Sequence, residues 1–265
     1  MNTTTGDQIR EAVRQNYGQI AESASGCCDT TSCCTPGAEQ PQLLSLQLGY
    51  SRQDIIAVPE GANLGLGCGN PQAIAKLVPG EVVLDLGSGA GFDCFLAARQ
   101  VGPSGRVIGV DMTAQMIAKA RANAQEAGYD NVEFRLGEIE HLPVADDSVD
   151  VIISNCVINL SPDKADVFAE AFRVLRPGGR LAVSDVVAFA AIPDEVRNDM
   201  ALLSACISGA EELSVIERLL LEAGFEEVVV APKEESKLFM AYWAPGAPIT
   251  DYVVSATIEG RKPAA

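Results

Sequence analysis

The fold is decided by residues 82–91, which read Val-Val-Leu-Asp-Leu-Gly-Ser-Gly-Ala-Gly. The first five are apolar except for one acid and predict a strand buried on both faces of a parallel sheet. Gly87, Gly89 and Gly91 follow, and without a Cβ they let the backbone turn sharply and approach a ligand. Phe92–Gln100 then has the apolar spacing of a helix. The stretch therefore predicts a strand, a glycine loop and a helix in that order.

An acid at the end of the next apolar run predicts a nucleoside site. Asp111 closes the run Arg106–Asp111, about twenty residues after the last glycine, where a carboxylate typically holds ribose hydroxyls. The loop has the form G-x-G-x-G rather than the pyrophosphate fingerprint, and Asp85 before it would repel a phosphate. S-adenosylmethionine (SAM) carries an ammonium and a sulfonium but no phosphate, so its charges fit better than those of NAD, the alternative. The pattern predicts SAM, with its amino group near Asp85.

Composition and charge narrow the class of protein. The chain has 265 residues, enough for one α/β domain with an extension, and its 48% hydrophobic content excludes a disordered chain. No run of apolar residues is long enough to cross a bilayer, and the polar stretch Met1–Arg14 has no apolar signal region, so we expect a cytosolic protein. The formal net charge of −17 disfavours nucleic acid and anionic membranes as partners.

Thiols are unusually abundant relative to imidazoles. The chain has 8 Cys and 1 His. In a cytosolic chain of this size disulfide staples are not expected, and neither histidines nor paired C-x-x-C spacings indicate zinc. Two cysteine pairs lie in a polar loop-like segment, residues 24–42: Cys27-Cys28 and Cys33-Cys34. The composition therefore indicates a function that needs thiols specifically.

Strands alternate with helices at the spacing of a doubly wound α/β sheet. The further predicted strands are Val132–Leu136, Val149–Ser154, Arg180–Val187 and a closing pair, Glu227–Ala231 and Leu238–Trp243. The predicted organisation is an N-terminal helix and cysteine-rich segment over 1–48, the sheet domain over 49–245, and a C-terminal tail over 246–265.

Polar residues and a cysteine follow the predicted strands. Gly87, Asp111, Glu138 and the pair Asn155-Cys156 each lie where a strand ends. Ligands of such sheets bind beyond the carboxyl ends of the strands. We therefore expect these residues to line one site.

Several motifs resemble those of known enzymes. Four resemble the class I SAM-dependent methyltransferases: Val-Leu-Asp-Leu-Gly-Ser-Gly-Ala-Gly at 83–91, Gly-Val-Asp-Met at 109–112, Leu-Gly-Glu at 136–138 and Leu-Arg-Pro-Gly-Gly at 175–179. Two longer segments resemble signature segments of the arsenite methyltransferases: Pro-Glu-Gly-Ala-Asn-Leu-Gly-Leu-Gly-Cys-Gly-Asn-Pro at 59–71 and Ile-Ser-Asn-Cys-Val-Ile-Asn-Leu-Ser-Pro-Asp-Lys at 153–164. Cys206, within Ala-Cys-Ile-Ser-Gly-Ala at 205–210, is similar to that family's downstream cysteine.

This resemblance implies a mostly parallel, seven-stranded, Rossmann-like methyltransferase sheet and a cytosolic enzyme that methylates trivalent arsenic. The arsenic of arsenite or its thiol conjugates would be held by the thiolates of Cys68, Cys156 and Cys206, since soft centres select sulfur. Its lone pair would attack the methyl group of SAM, so no general base is needed. Oxidation of the arsenic would be reversed by a pair of enzyme cysteines that includes Cys33 or Cys34, with thioredoxin or glutathione as the reductant.

The cofactor site is predicted from the same strand ends. Asp85 and the glycines would approach the amino acid end of SAM, Asp111 its ribose and Met112 its adenine. Glu138 or the backbone of Ile139 would flank the adenine amino group, and Asn155 completes the predicted cofactor set. Cys94 lies on the helix that follows the glycine loop, beside an aromatic residue, and is predicted to be structural.

Two other functions remain open at this stage. The same fold and cofactor serve methyltransferases that act on carbon, oxygen or nitrogen of organic small molecules, in which case the cysteines would be structural. A metalloid-binding or sensing protein without catalysis is the third alternative.

Overall fold

The structure is a computed structural model that describes residues 5–23, 41–197, 199, 202–203, 206–243 and 248–264. A seven-stranded sheet lies at its centre. The strands are β1 (Val82–Leu86), β2 (Arg106–Asp111), β3 (Val132–Leu136), β4 (Val149–Asn155), β5 (Leu175–Ala188), β6 (Glu226–Pro232) and β7 (Val253–Arg261).

The helices among the described residues lie on both faces of the sheet and over the carboxyl ends of its strands. They are α1 (Gly6–Ser23), α2 (Pro41–Gln47), α3 (Arg52–Ala57), α4 (Gln72–Ala75), α5 (Phe92–Val101), α6 (Ala114–Ala127), α7 (Lys164–Val174), α8 (Asp194–Arg197), α9 (Leu213–Ala223) and α10 (Lys237–Met240). Short 3-10 helices occupy Ile158–Leu160, Glu234–Ser236 and Ile249–Asp251.

The strand order is β3-β2-β1-β4-β5-β7-β6, with parallel pairing from β3 through β5. Strand β7 runs antiparallel to both of its neighbours, β5 and β6. The predicted doubly wound, mostly parallel, seven-stranded sheet is therefore confirmed. Strand β1 lies between β2 and β4, so the loops that follow these three strands meet at one edge.

Two apolar layers explain why the central strands are buried on both faces. On one face Leu84 and Val110 pack in a cluster with Phe168 of α7 and Leu220 of α9. On the other face the alternate residues of the same strands pack against α4, α5 and α6. A strand between two helical layers needs apolar side chains in both directions, which is why the sequence run has no polar alternation.

The C-terminal part of the chain differs from its prediction. Leu238–Trp243, predicted as a strand, contains helix α10 and a turn. Met240 is buried there, and the Phe239 and Trp243 rings contact each other at a centroid distance of 5.7 Å. A short apolar run has no decisive period, and here a spacing of four residues unites the aromatic side chains.

Residues 246–265, predicted as a tail, supply a strand of the sheet. Strand β7 is inserted between β5 and β6, and four of its apolar side chains are buried: Val253, Val254, Ala256 and Ile258. The sheet domain therefore continues to Arg261.

No helix among the described residues has the length and apolarity that crossing a bilayer requires.

Removal of residues 253–265 is expected to abolish the cooperative thermal unfolding transition. Strand β6 would lose its only sheet partner among the described strands, and the backbone edge of β5 that pairs with β7 would become exposed. Circular dichroism melting measures the transition. Removal of Ala264 and Ala265 alone is the control and should leave the transition unchanged; an unchanged melt after the longer truncation would contradict the assignment of β7.

Candidate active site

The loops at the carboxyl edge enclose a cavity of about 780 Å³. Most of the site residues predicted from the sequence line it: Asp85, Gly87, Gly89, Asp111, Met112, Ile139, Asn155, Cys156 and Cys206. Its other walls come from α1, from the segment 62–67 and from the region of α10. The loops after β1, β2 and β4 border one cavity. The residues predicted to bind a nucleoside and the thiols of Cys156 and Cys206 therefore face the same space.

The glycine loop has the backbone that its sequence requires. Gly87, Gly89 and Gly91 have φ angles of +69°, +52° and +96°, in the left-handed region that favours glycine. A Cβ at Gly87 would lie 2.4 Å from a methyl carbon of Val157, and one at Gly91 would lie 2.7 Å from the ring of Phe95. A Cβ at Gly89 would meet no described atom within 4 Å. The loop is thus packed at two glycines and opens toward the cavity at the third.

Asp111 ties the second strand to the glycine loop. Its carboxylate accepts hydrogen bonds from the backbone N–H of Gly89, at 2.9 Å, and of Thr113, at 2.8 Å. Burial raises the pKa of Asp111, and these two N–H groups partly offset the effect. The carboxylate is therefore held at the cavity wall by the backbone.

Two more acids lie under the glycine loop. Asp85 is 2% exposed and accepts a hydrogen bond from the Cys94 thiol at 3.2 Å, while Asp93 accepts from the Tyr50 hydroxyl at 2.9 Å. Burial raises the pKa of Asp85 well above its usual range, and the neighbouring Asp93 and Asp111 raise it further. Like charges crowded in a buried site favour a cationic ligand, which relieves their repulsion. This observation fits an ammonium group.

The segment after β3 is divided between the cavity and helix α1. Ile139 lines the cavity, whereas Glu138 is not among its lining residues and pairs with Arg14 and Arg10 of α1. Glu140, which is 3% exposed, lines the cavity and also pairs with Arg10, at 3.2 Å. These ion pairs hold α1 over the cavity. Contact of Ile139 with an adenine remains a prediction.

Three cysteines that are distant in the chain converge beside the cavity. The donor atoms of Cys68, Cys156 and Asp185 all lie within 4.8 Å of one another. The Cys156 thiol also contacts that of Cys206, whose Sγ donates to the Cys156 carbonyl at 2.8 Å. All three cysteines are buried; Cys156 and Cys206 line the cavity, and Cys68 is not among its lining residues. Cys156 is therefore the centre of the thiol cluster.

The backbone and the acidity of these thiols are both unusual. Cys156 and Cys206 have φ angles of +59° and +62°, a left-handed conformation that is uncommon for residues other than glycine. Burial raises the pKa of Cys68 to about 11 and that of Cys156 well above its usual range. Such strain persists only where the surrounding structure imposes it, and it concentrates at functional sites. The raised pKa values favour the protonated form of the Cys68 and Cys156 thiols.

Asn155 fastens the Cys68 loop to the end of β4. Its side-chain oxygen accepts the Cys68 N–H at 3.0 Å, and its amide donates to the Gly69 carbonyl at 2.9 Å and to the Tyr50 hydroxyl at 3.0 Å. A Cβ at Gly67, where φ is +123°, would collide with the Asn155 amide. Asn155 lines the cavity, but these partners belong to the thiol loop; its predicted contact with the cofactor remains untested.

The other cysteines do not join this cluster. Cys94 is fully buried in α5, where its thiol faces Asp85 and the cluster lies elsewhere. Cys27, Cys28, Cys33 and Cys34 lie outside the described residues.

Sequence reasoning missed several residues of the site. Tyr17 and Arg10 line the cavity from α1, and nothing in the weak amphipathic pattern of that helix indicates where it packs. Asp185 ends up beside Cys68 and Cys156. Its position near the end of β5 is the same kind of signal that identified Asp111, so Asp185 could have been found. Burial raises its pKa to about 6.

Comparison with known proteins agrees with this site. The profile of a family described as "Methyltransferase domain" matches residues 77–238. The chain is 54% identical to the arsenite methyltransferase of Halobacterium salinarum, over 97% of this chain and 68% of that protein. It is 42% identical to that of Aquipseudomonas alcaligenes, over 83% of this chain and 62% of that protein. A solved structure, an arsenic(III) S-adenosylmethionine methyltransferase from Chlamydomonas reinhardtii, is 34% identical with a TM-score of 0.62, over 85% of this chain and 75% of that one.

The sheet, the glycine loop and the spaced acid define a class I SAM-dependent methyltransferase. With the identities just given, the chain belongs to the arsenite methyltransferase family. It spans 68% and 62% of the lengths of the two curated relatives.

Asp85→Asn is expected to stabilise the empty protein while weakening SAM binding. The raised pKa means that the ionised Asp85 destabilises the fold at neutral pH and that protonation on acidification relieves this; an amide should raise the free energy of unfolding by about 1 kcal/mol at pH 7. In the wild type, affinity for SAM should rise with pH through the raised pKa, because only the carboxylate attracts an ammonium. Urea unfolding and titration calorimetry measure these effects. Equal SAM affinity in both proteins at all pH values would contradict the prediction.

Asn155→Ala is expected to raise the KM for arsenite by about tenfold or more and to leave SAM affinity unchanged, because the buried Cys68 N–H and Gly69 carbonyl lose their partner. Steady-state kinetics and calorimetry separate the two effects. Asn131→Ala is the matched control, since its amide donates to the Ala98 and Gly102 carbonyls; it should alter neither value. Weakened SAM binding with an unchanged arsenite KM would instead support the cofactor role.

Proposed function

We propose that this protein transfers a methyl group from SAM to trivalent arsenic held by its thiols. The observation that carries the proposal is the meeting of the thiol cluster and the SAM-type glycine loop in one cavity. Membership of the arsenite methyltransferase family supports the same acceptor. A site for an organic acceptor would have no need of three buried cysteines, two of them with a left-handed backbone.

The chain's own residues fit the cofactor. The open space above Gly89 admits a ligand against the backbone, and the carboxylates of Asp85 and Asp111 offer partners for an ammonium and for ribose hydroxyls. Met112 and Ile139 provide apolar contacts for adenine. When bound, SAM supplies an electrophilic methyl group on a sulfonium.

The thiols provide the substrate site. Arsenic(III) is soft and binds three sulfurs in a pyramid whose lone pair points outward. As arsenite binds, each thiol proton leaves with an arsenic-bound hydroxide as water, and from a thiol conjugate the leaving thiolate takes it. Protonated thiols in the empty cluster, with the pKa of Cys68 near 11, therefore supply the protons that ligand exchange consumes.

Methyl transfer requires alignment rather than proton transfer. The arsenic lone pair forms the new As–C bond while the C–S bond to the sulfonium breaks, and that electron pair stays on sulfur. Arsenic is thereby oxidised from the trivalent to the pentavalent state. The cavity residues contribute by holding the two partners in line and by excluding water.

Return to trivalent arsenic needs two electrons. Two enzyme thiols supply them by forming a disulfide, one of them Cys33 or Cys34, and thioredoxin or glutathione then reduces that disulfide. Because both reductants are cytoplasmic thiols, the proposal also assigns the reaction to the cytoplasm. The support for this step is the sequence resemblance alone.

Labelled SAM with arsenite and a thiol tests the proposal. Label in methylated arsenicals is the expected result. Label only in organic products of an added metabolite extract would indicate an organic acceptor, and tight arsenite binding without turnover would indicate a binding protein.

Cys156→Ser is expected to lower kcat/KM for arsenite by more than about a hundredfold, because the thiol that contacts both of the others is lost and arsenic is no longer held in line. Affinity for SAM should be nearly unchanged. Cys94→Ser is the matched control, a buried cysteine whose hydroxyl replacement can still donate to Asp85; its activity should fall by less than about threefold. Equal losses in both variants would contradict the division of the cysteines.

A further inference from the structure

The carboxylate of Asp185, which the proposed methyl transfer does not use, completes a compact set of donor atoms. Asp185, Cys68 and Cys156 bring one donor atom each to within 4.8 Å of the other two, and all three residues are buried. Cys206 is not a member of this set; its Sγ donates to the Cys156 carbonyl. The most closely grouped ligands are therefore two sulfurs and one oxygen, not three sulfurs.

This spacing suits a small divalent cation. A tetrahedral Zn²⁺ has bonds of about 2.3 Å to sulfur and about 2.0 Å to oxygen, which places its donor atoms about 3.5–3.8 Å apart. Donors that already lie within 4.8 Å of one another need only small side-chain movements to reach that geometry. Three protein ligands would leave the fourth position for water.

Hydrogen bonds fix the orientation of the Asp185 carboxylate, as they do for carboxylates that bind metal ions. Its oxygens accept hydrogen bonds from the N–H of Val186 at 2.7 Å, the N–H of Ile158 at 2.9 Å and the side-chain amide of Asn159 at 3.0 Å. A carboxylate has about four lone-pair positions, so three donors leave one free for a ligand. Hydrogen-bond partners of this kind orient the residues that bind a metal ion and are typical of metal sites.

The donor set also distinguishes between two kinds of ligand. Arsenic(III) is saturated by three thiolates and carries a lone pair, so a carboxylate adds nothing to its binding. Zn²⁺ and Cd²⁺ have no lone pair, prefer four ligands and accept a mixture of thiolate and carboxylate.

We infer that Cys68, Cys156 and Asp185 form a site for a thiophilic divalent cation, Zn²⁺ or Cd²⁺, which overlaps the arsenic site in two thiols and uses Asp185 where arsenic uses Cys206. Binding releases the two thiol protons to solvent and forms two metal–sulfur bonds and one metal–oxygen bond. The cation inhibits methyl transfer competitively with arsenite and not with SAM. That consequence rests on the proposed function; the cation site itself does not.

Cadmium titration of the full chain tests the site through the ultraviolet thiolate-to-metal absorption. The starting protein carries serine at positions 27, 28, 33 and 34, so that the N-terminal thiols do not contribute. One Cd²⁺ per chain is expected. Asp185→Asn should weaken Cd²⁺ about 10–100-fold and change arsenite affinity by less than about threefold. Cys206→Ser should do the reverse, Cys68→Ser should weaken both ligands, and Cys94→Ser is the control.

Infrared difference spectra keep the inference testable if Asp185→Asn fails to fold. Addition of Cd²⁺ to the starting protein should shift a carboxylate stretching band, and the shift should be missing in Cys68→Ser. Absence of a carboxylate shift, or equal effects of the Asp185 and Cys206 variants on both ligands, would overturn the inference. Methylation of arsenite is measured with the wild-type chain, which keeps Cys33 and Cys34. Cd²⁺ binding without methylation by the wild-type chain would refute the proposed function alone, and methylation without Cd²⁺ binding would refute the inference alone.

Discussion

Parallel pairing around β1 is the constraint on which the site depends. Val83 pairs with Val107 of β2 and with Val151 of β4, so the three strands end side by side. The glycine loop, Asp111 and Cys156 follow those ends and must share one space. Residues up to about seventy positions apart thereby become neighbours through backbone hydrogen bonds alone, before any side chain interacts with a ligand.

Features that the site needs for binding lower the stability of the folded protein. Burial raises the pKa of Asp85, so the ionised carboxylate costs stability, and the backbone of Cys156 adopts a left-handed conformation. A bound cation would offset the crowded carboxylates, and a thiophile would replace the thiol protons. The cavity is thus divided into a wall for a charged cofactor and a wall for a soft acceptor, and the Asn155 hydrogen bonds fix the second wall in place.

Local patterns predicted the part of the fold that local chemistry determines. The glycine loop and the spaced Asp111 follow from backbone freedom and spacing. The place of strand β7 between β5 and β6 could not be predicted, because a short apolar segment after a loop has no local mark of insertion between two strands. The ion pairs of Glu138 with Arg14 and Arg10 could not be predicted, because helix α1 is distant in the chain. The sequence shows no ligand spacing of the kind seen in zinc sites. Cys68, Cys156 and Asp185 are far apart in the chain, and only the folded sheet brings their donor atoms together.

The central claim is that thiols far apart in the chain meet at one soft atom. Arsenic K-edge X-ray absorption of the arsenite-bound protein tests it most directly by counting the atoms bonded to arsenic. Three sulfur neighbours and no oxygen neighbour are expected, with two sulfurs remaining when Cys206 is replaced by serine. An oxygen-rich shell in the wild type, or a sulfur count that none of the replacements at Cys68, Cys156 or Cys206 changes, would contradict the account.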